Sequence, residues 1–161
     1  MASSPRQDSR LLIIAFGSNL GDSPAMIDQA LEVLRQSVPH QNFRRSSTIS
    51  SSPVDCPPGS PDFLNGVVAM DWIVPQNDLI ESAEKLLQSL KSIEANLGRR
   101  PKKILNEARP IDLDIIFIEG HTQQSETLTI PHPRAVSRSF VTQPILELFP
   151  GFNIQALNPS T

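Results

Sequence analysis

The sequence contains a single cysteine, Cys56, and it has no excess of basic residues. One cysteine cannot form an internal disulfide, so a reducing compartment is the default environment. Cys56 follows Asp55 and lacks the positively charged neighbours that activate a catalytic thiol, so we interpret it as incidental. The 14 Lys and Arg against 17 Asp and Glu give a net charge of −3. This balance argues against nucleic acid as the main partner, because nucleic-acid-binding proteins usually carry a basic surface.

Long apolar runs are also missing from the chain. No stretch reaches the roughly 20 apolar residues that a transmembrane helix needs, so no membrane contact is predicted. Residues 1–10 are polar and lack the apolar centre of a signal peptide. We expect residues 1–10 to form a disordered tail and residues 11–161 to form a single domain that buries its own core. The expected location is the cytoplasm, with an organelle as the open alternative.

The order of the predicted elements indicates an α+β fold. Strands are predicted at residues 11–16, 43–51, 63–74 and 112–118, with a short extended piece at 128–131. Helices are predicted from Ser23, from a start between Gln76 and Ser82 as far as Leu97, and within residues 140–149. The order β-α-β-β-α-β with a trailing helix is that of the ferredoxin-like group. It predicts a mostly antiparallel sheet with helices packed on it in α/β/α layers.

Local residues mark where two of these helices begin and end. Ser23 is expected to cap the first helix, with Pro24 in its first turn. Gly98 is placed to end the second helix. The preceding turn, residues 17–22, lacks the Gly-Lys-Ser/Thr ending of a phosphate-binding P-loop, and we interpret it as a tight turn.

Two aspartates at the start of the fourth strand are the strongest sign of chemistry. Side chains alternate in a strand that advances about 3.3 Å per residue, so Asp112 and Asp114 are expected on one face about 6–7 Å apart. Leu113, Ile115 and Phe117 are expected on the other face, in a central strand covered on both sides. Mg²⁺ typically takes one or two carboxylates and completes its shell with substrate phosphates. The alternative is a solvated corner between strand and loop.

Cationic residues near the aspartates favour a phosphate ligand. Residues 99–103 hold four of the 14 basic side chains, and Arg109 adjoins the aspartate pair. Cations that bracket an acidic metal site are typical of a polyphosphate clamp, although a solvated basic run is the commoner explanation. His132, held between two prolines, and the nearby Arg138 suit donation to phosphate oxygens; a turn histidine that caps a helix is the alternative.

A separate pair of residues suits a flat ring. The side-chain amide of Asn65 supplies the donor and acceptor that a fused heteroaromatic ring requires. Phe63 is suitably placed to stack on such a ring. Without further context, Asn65 is equally a polar residue at the start of a strand.

Taken together, these segments resemble one enzyme family. The motifs are FGSNLGD at residues 16–22, PDFLN at 61–65, SIEANLGRR at 92–100, R-x-IDLDI at 109–115, PHPR at 131–134 and SRSFV at 137–141. In this order they are similar to 6-hydroxymethyl-7,8-dihydropterin pyrophosphokinase of folate biosynthesis. The resemblance extends from about Leu11 to Phe152, which is nearly the whole chain.

The resemblance implies that the chain transfers a pyrophosphoryl group from ATP to the hydroxymethyl oxygen of 6-hydroxymethyl-7,8-dihydropterin and releases AMP. It implies two Mg²⁺ ions held by Asp112 and Asp114, with ATP as co-substrate. The implied catalytic residues are Arg99, Arg109, Asp112 and Asp114. The implied ATP contacts are Arg99, Arg109, His132 and Arg138. The implied pterin contacts are Ser52, Pro53, Asp55, Phe63, Asn65 and Phe140. Monomer and homodimer both remain open.

The chain departs from the family pattern between residues 99 and 110. Pro101 stands where the family usually has a further arginine, and Asn106 stands where it usually has a tryptophan. Glu107-Ala108 replaces a Gly-Pro pair that usually precedes the arginine matched by Arg109. An active enzyme is the leading prediction, because the metal and pterin positions are intact. The alternative is a pterin- or nucleotide-binding homologue whose altered 99–110 loop impairs catalysis.

Overall fold

The computed structural model describes residues 9–19, 21–52, 58–59, 61–75, 78–98 and 110–158. In this part of the chain the order of elements is β1 (Ser9–Ser18), α1 (Ser23–Ser37), β2 (His40–Arg45), β3 (Ile49–Ser51), β4 (Phe63–Ile73), α2 (Leu79–Asn96), β5 (Asp112–Ile118), β6 (Gln123–Gln124), β7 (Thr129–Ile130) and α3 (Ser139–Leu148). Short 3-10 turns lie at Ala135–Ser137 and Ile154–Leu157.

The main sheet has the strand order β2-β4-β1-β5, with β3 also paired to β4. All of its pairs are antiparallel, and β6 and β7 form a separate small hairpin. The helices α1 and α2 pack on one face of the sheet, and α3 packs on the other. This three-layer arrangement confirms the predicted α+β, ferredoxin-like fold.

Strict alternation along β1 and β4 separates the core into two halves. Toward α1 and α2 these strands present Leu12, Ile14, Phe16, Val68, Met70 and Trp72. Toward α3 they present Ile13, Val67 and Ala69. All of these side chains are buried. Removal of this apolar surface from water on both faces of the sheet is the main force that holds the layers together.

The helix ends agree with the sequence in one case and differ in the other. Gly98 has a φ of +96° immediately after the cap residue Leu97, so the predicted end of α2 is confirmed. The predicted serine cap of α1 is wrong, because Asp22 is the cap and its carboxylate accepts a hydrogen bond from the amide of Ala25 at 3.2 Å. Ser23 is already helical. A carboxylate at this position also interacts favourably with the helix dipole.

Two strand boundaries differ from prediction because backbone pairing does not require apolar side chains. β1 begins at Ser9, inside the predicted tail, and Ser9 pairs with Ile73 of β4; residues 1–8 of that tail lie outside the described residues. The single strand predicted at 43–51 is wrong, since β2 and β3 are separate and Ser46 lies between them. There the Ser46 hydroxyl accepts from the amide of Val67 at 2.9 Å, in place of a backbone carbonyl.

An irregularity in β5 changes which face its apolar residues occupy. The consecutive residues Ile13 and Ile14 of β1 pair with Phe117 and Ile115, so Ile116 is one extra residue in β5. A bulge of this kind interrupts the alternation of side chains. Ile116 and Phe117 consequently both pack on the α3 side. The prediction that Phe117 shares a face with Ile115 is therefore wrong.

The position of β5 in the sheet also differs from the prediction. β5 is the last strand in the sheet order rather than a central one. It appeared central in the sequence because helices cover both of its faces, with Leu113 toward α2 and Ile116 toward α3. Part of its outer edge is covered as well, since the amide of His132 donates to the carbonyl of Ile116 at 2.9 Å.

A close approach between β1 and β4 predicts an effect on stability. Gly66 pairs with Phe16, whose ring lies where a Cβ at position 66 would be, and that Cβ would also lie 2.9 Å from the hydroxyl of Ser46. Phe16 is buried, so its ring can make room only by displacing neighbouring core side chains. We expect Gly66→Ala to lower the free energy of unfolding by about 1–3 kcal/mol, as overpacked cores do.

Urea denaturation measures this change. Gly151→Ala is the control, because a Cβ at Gly151 would meet no atom within 4 Å. Equal stabilities of the two variants would contradict the described packing.

Candidate active site

A cavity of about 340 Å³ lies on the α3 side of the sheet, against β1, β3, β4, β5 and the segment from His132 to Val141. Eight of the residues predicted for the site line this cavity: Ser52, Phe63, Asn65, Asp112, Asp114, His132, Arg138 and Phe140. The other four, Arg99, Arg109, Pro53 and Asp55, lie outside the described residues. The structure therefore brings the phosphate and pterin halves of the predicted site into one cavity.

The two aspartates occupy the end of β5 nearest to the cavity. Asp112 pairs with Gly17 of β1, and Asp114 pairs with Ala15, so both carboxylates lie beside the same stretch of β1. Among the described residues no three His, Cys, Asp or Glu side chains group together to hold a metal ion. A pair of carboxylates fits Mg²⁺, which commonly takes one or two of them and completes its shell with water and substrate phosphates.

His132 is held in one orientation by its own turn. Its Nδ1 accepts a hydrogen bond from the amide of Arg134 at 3.2 Å, which leaves Nε2 as the protonated nitrogen of the neutral ring. Burial lowers the pKa of His132, the positive charges of Arg138 and Arg134 lower it further, and Asp112 opposes them. At neutral pH the ring is thus a neutral donor, suited to a phosphate oxygen.

The aromatic side of the cavity is built around Asn65. Its amide nitrogen donates to the hydroxyl of Ser51 at 2.7 Å and to the carbonyl of Ile49 at 3.3 Å, both in β3. With the nitrogen directed to β3, the Oδ1 atom lies toward Gly17, where an added Cβ would come within 3.0 Å of it. The rings of Phe63 and Phe140 line the same cavity. The amide orientation is therefore fixed by protein contacts alone.

The turn that follows β1 is hydrogen-bonded to the segments that precede β4 and β5. The Ser18 hydroxyl donates to the carbonyl of Pro110, immediately before β5. The Asn19 side chain donates to the carbonyl of Pro61 at 3.3 Å, before β4. Both side chains are buried. This arrangement supports the interpretation of the turn as a structural one, with Gly21 at a φ of +73°.

Arg134 is a cavity residue to which the sequence assigned no role. It lines the cavity on its exposed side, and its charge is close enough to lower the pKa of His132. The guanidinium of Arg138 lies 5.6 Å from the ring centroid of Phe140, within the range of a cation–π contact. The sequence did hold one sign of a role for Arg134, because this residue belongs to the PHPR segment and stands near other cationic residues.

The fold and the cavity together define an α+β protein with a carboxylate pair beside cationic and aromatic side chains. A family profile described as 7,8-dihydro-6-hydroxymethylpterin-pyrophosphokinase (HPPK) matches residues 13–150. The chain is 32% identical over 156 residues to 2-amino-4-hydroxy-6-hydroxymethyldihydropteridine pyrophosphokinase of Porphyromonas gingivalis, with 93% of this chain and 98% of the relative covered. The chain therefore belongs to the HPPK family, whose members are ATP-dependent pyrophosphokinases that use Mg²⁺.

Other relatives are much longer proteins. The chain is 36% identical over 137 residues to the mitochondrial folate synthesis bifunctional protein of Pisum sativum, which covers 85% of this chain. It is 35% identical over 142 residues to a folic acid synthesis protein of Schizosaccharomyces pombe, which covers 88% of this chain. The chain spans only 25% and 18% of these two relatives, respectively.

The environment of His132 predicts its titration. Because burial and two arginines disfavour the charged ring, we expect its NMR titration midpoint in the unliganded protein to lie below the ordinary value of 6.5. The chain has three histidines, so loss of one resonance in His132→Asn assigns the signal. A midpoint at or above 6.5 would show that the carboxylate of Asp112, rather than burial and the arginines, dominates at the ring.

Proposed function

We propose that this chain transfers the pyrophosphoryl group of ATP to the hydroxymethyl oxygen of 6-hydroxymethyl-7,8-dihydropterin and releases AMP, as a step of folate biosynthesis. The observation that carries the proposal is one cavity lined by two carboxylates, cationic side chains, an oriented amide and two aromatic rings. Membership of the HPPK family supports it, as does the Porphyromonas gingivalis relative of nearly the same extent.

Asp112 and Asp114 are proposed to hold Mg²⁺, two ions in all, because carboxylate oxygens are its preferred protein ligands. When bound, Mg²⁺ neutralises phosphate charge and aligns the triphosphate. His132 and Arg138 are proposed to donate to phosphate oxygens, and Arg134 is placed to do the same. Arg99 and Arg109, which lie outside the described residues, stay predicted members of the ATP-binding and catalytic set.

The pterin is proposed to occupy the other end of the cavity. Phe63 and Phe140 stack on its faces, since offset stacking suits flat rings. Asn65 presents Oδ1 to a ring N–H, because its nitrogen is already directed to Ser51. Ser52, which lines the cavity, is proposed to contact the ring as well. Pro53 and Asp55 stay predictions, as they lie outside the described residues.

In the proposed reaction the hydroxymethyl oxygen forms a bond to the β-phosphorus while the bond from that phosphorus to the α-phosphate oxygen breaks. The oxygen loses its proton and AMP leaves with the electron pair. Such transfers depend on in-line placement of the reacting oxygens and on neutralisation of charge. The protein's part is to fix the ring against Asn65 and to present donors from His132 and Arg138 to the phosphates.

The alternative of a homologue with impaired catalysis has no finding in its favour. It depends on Pro101, Asn106, Glu107 and Ala108, which lie outside the described residues.

The proposed location is the cytoplasm, and the proposed assembly is a monomer or homodimer. In the described part of the chain, helices fall short of the length and apolar character needed to cross a membrane.

Replacement of the aspartates tests the phosphate end of the site. We expect Asp112→Asn and Asp114→Asn each to lower kcat by about 100-fold or more, as loss of a central electrostatic group does. The assay measures AMP and ADP with ATP, Mg²⁺ and 6-hydroxymethyl-7,8-dihydropterin. The control is Asp71→Asn, which changes a β4 aspartate at the far end of the same sheet, paired with Leu11. ADP as the product, or full activity in either cavity variant, would refute the proposal.

Replacement of Asn65 tests the aromatic end. Loss of a hydrogen bond in a buried site typically costs about 1–3 kcal/mol, so we expect Asn65→Ala to weaken pterin binding by about 5- to 150-fold. Calorimetry should show unchanged affinity for ATP in the presence of Mg²⁺. Asn153→Ala, at the cap of a 3-10 turn, is the control. An equal loss of ATP affinity in Asn65→Ala would place this residue outside a separate pterin site.

A further inference from the structure

Glu94 is a buried acidic residue of α2 that the proposed reaction does not use. Only 7% of its surface is exposed, and its Oε2 atom accepts a hydrogen bond from the amide of Leu113 at 2.7 Å. Leu113 is the residue between Asp112 and Asp114. The bond therefore joins α2 to the backbone that links the two carboxylates of the cavity.

The direction of this bond shows how the aspartates are held. In an antiparallel ladder, the backbone groups of successive residues alternate between the partner strand and the outer edge. The amide of Leu113 meets Glu94 at the outer edge of β5. By that alternation the backbones of Asp112 and Asp114 face β1, where they pair with Gly17 and Ala15. The short segment is thus held from both sides, by β1 and by α2.

The cost of burying Glu94 indicates that its hydrogen bond to Leu113 has a structural or functional role. Burial of a carboxylic side chain costs free energy that an apolar residue at the same place would avoid. On the same helix the neighbouring Ile93 is buried with no such cost. The cost at Glu94 is offset in part by the backbone amide it satisfies, since a buried amide without an acceptor is itself unfavourable.

We propose that Glu94 is a positioning residue for the metal site: through Leu113 it sets the relative direction of Asp112 and Asp114, and with it the affinity of the site for Mg²⁺. The inference rests on the proposed function. Glu94 acts through the backbone of β5 and contacts neither substrate. Groups that orient metal ligands in this way typically change metal affinity or activity by about 10- to 100-fold when they are lost.

Three substitutions separate the hydrogen bond from the charge. Glu94→Gln keeps an acceptor oxygen at the same reach without the charge, so we expect it to behave like the wild type. Glu94→Asp keeps a carboxyl group but is one methylene shorter and withdraws from Leu113. We expect Glu94→Asp and Glu94→Ala to raise the Mg²⁺ concentration for half-maximal AMP formation by about 10-fold or more. The KM for the pterin should stay unchanged in all three.

Ile93→Ala is the matched control for stability. It opens a cavity in the same turn of α2 and lowers the stability of the protein, yet it leaves the bond to Leu113 in place. We expect it to unfold at lower urea concentration with an unchanged Mg²⁺ requirement. All variants are compared at a temperature at which circular dichroism shows each to be folded.

A second measurement does not depend on turnover. Mn²⁺ binding to the protein with ATP, followed by electron paramagnetic resonance, should weaken in Glu94→Asp and Glu94→Ala but not in Glu94→Gln. If Glu94→Ala does not fold, the comparison of Glu94→Gln with Glu94→Asp decides the matter. Wild-type Mn²⁺ and Mg²⁺ behaviour in Glu94→Asp, or weakened binding in Glu94→Gln, would overturn the proposal. Absence of AMP formation by the wild type would refute the proposed function instead, while the Mn²⁺ comparison would still test Glu94.

Discussion

The pairing of β1 with strands on both of its sides is the constraint on which the cavity depends. Gly17, near the end of β1, pairs with Asn65 of β4 on one side and with Asp112 of β5 on the other. Adjacent strands lie about 4.8 Å apart, so the register alone sets the aromatic and acidic halves of the site about two strand spacings from each other. Because Gly17 has no side chain, the space between the two halves stays open.

Apolar burial fixes that register. A slip of one residue along β1 would turn Leu12, Ile14 and Phe16 away from α1 and α2, and the cost of exposing such side chains is large. The same slip would move Gly17 out of line with Asn65 and Asp112. The two cores, each formed by one face of the sheet, therefore hold the site geometry.

The sequence predicted what depends on local pattern and failed where tertiary contacts decide. Alternation placed Asp112 and Asp114 at one cavity, and the spacing of apolar residues placed α2. The bulge at Ile116 could not be predicted from the sequence, because the residues beside it are apolar whichever face of the strand they occupy. Asp22 and Ser23 are both good cap residues, so only the turn geometry selects between them. Glu94 lay within a recognised motif, but its role depends on an amide in another element.

Charges of both signs meet in the cavity. At His132 the positive charges of Arg138 and Arg134 lower the pKa, and the carboxylate of Asp112 opposes them. At the end of β5, Asp112 and Asp114 bring two carboxylates to the cavity. A triphosphate that carries divalent cations has the complementary arrangement, with metal toward the aspartates and bare oxygens toward the arginines. This mixture of charges supports the proposed binding of a polyphosphate as its metal complex rather than as the free anion.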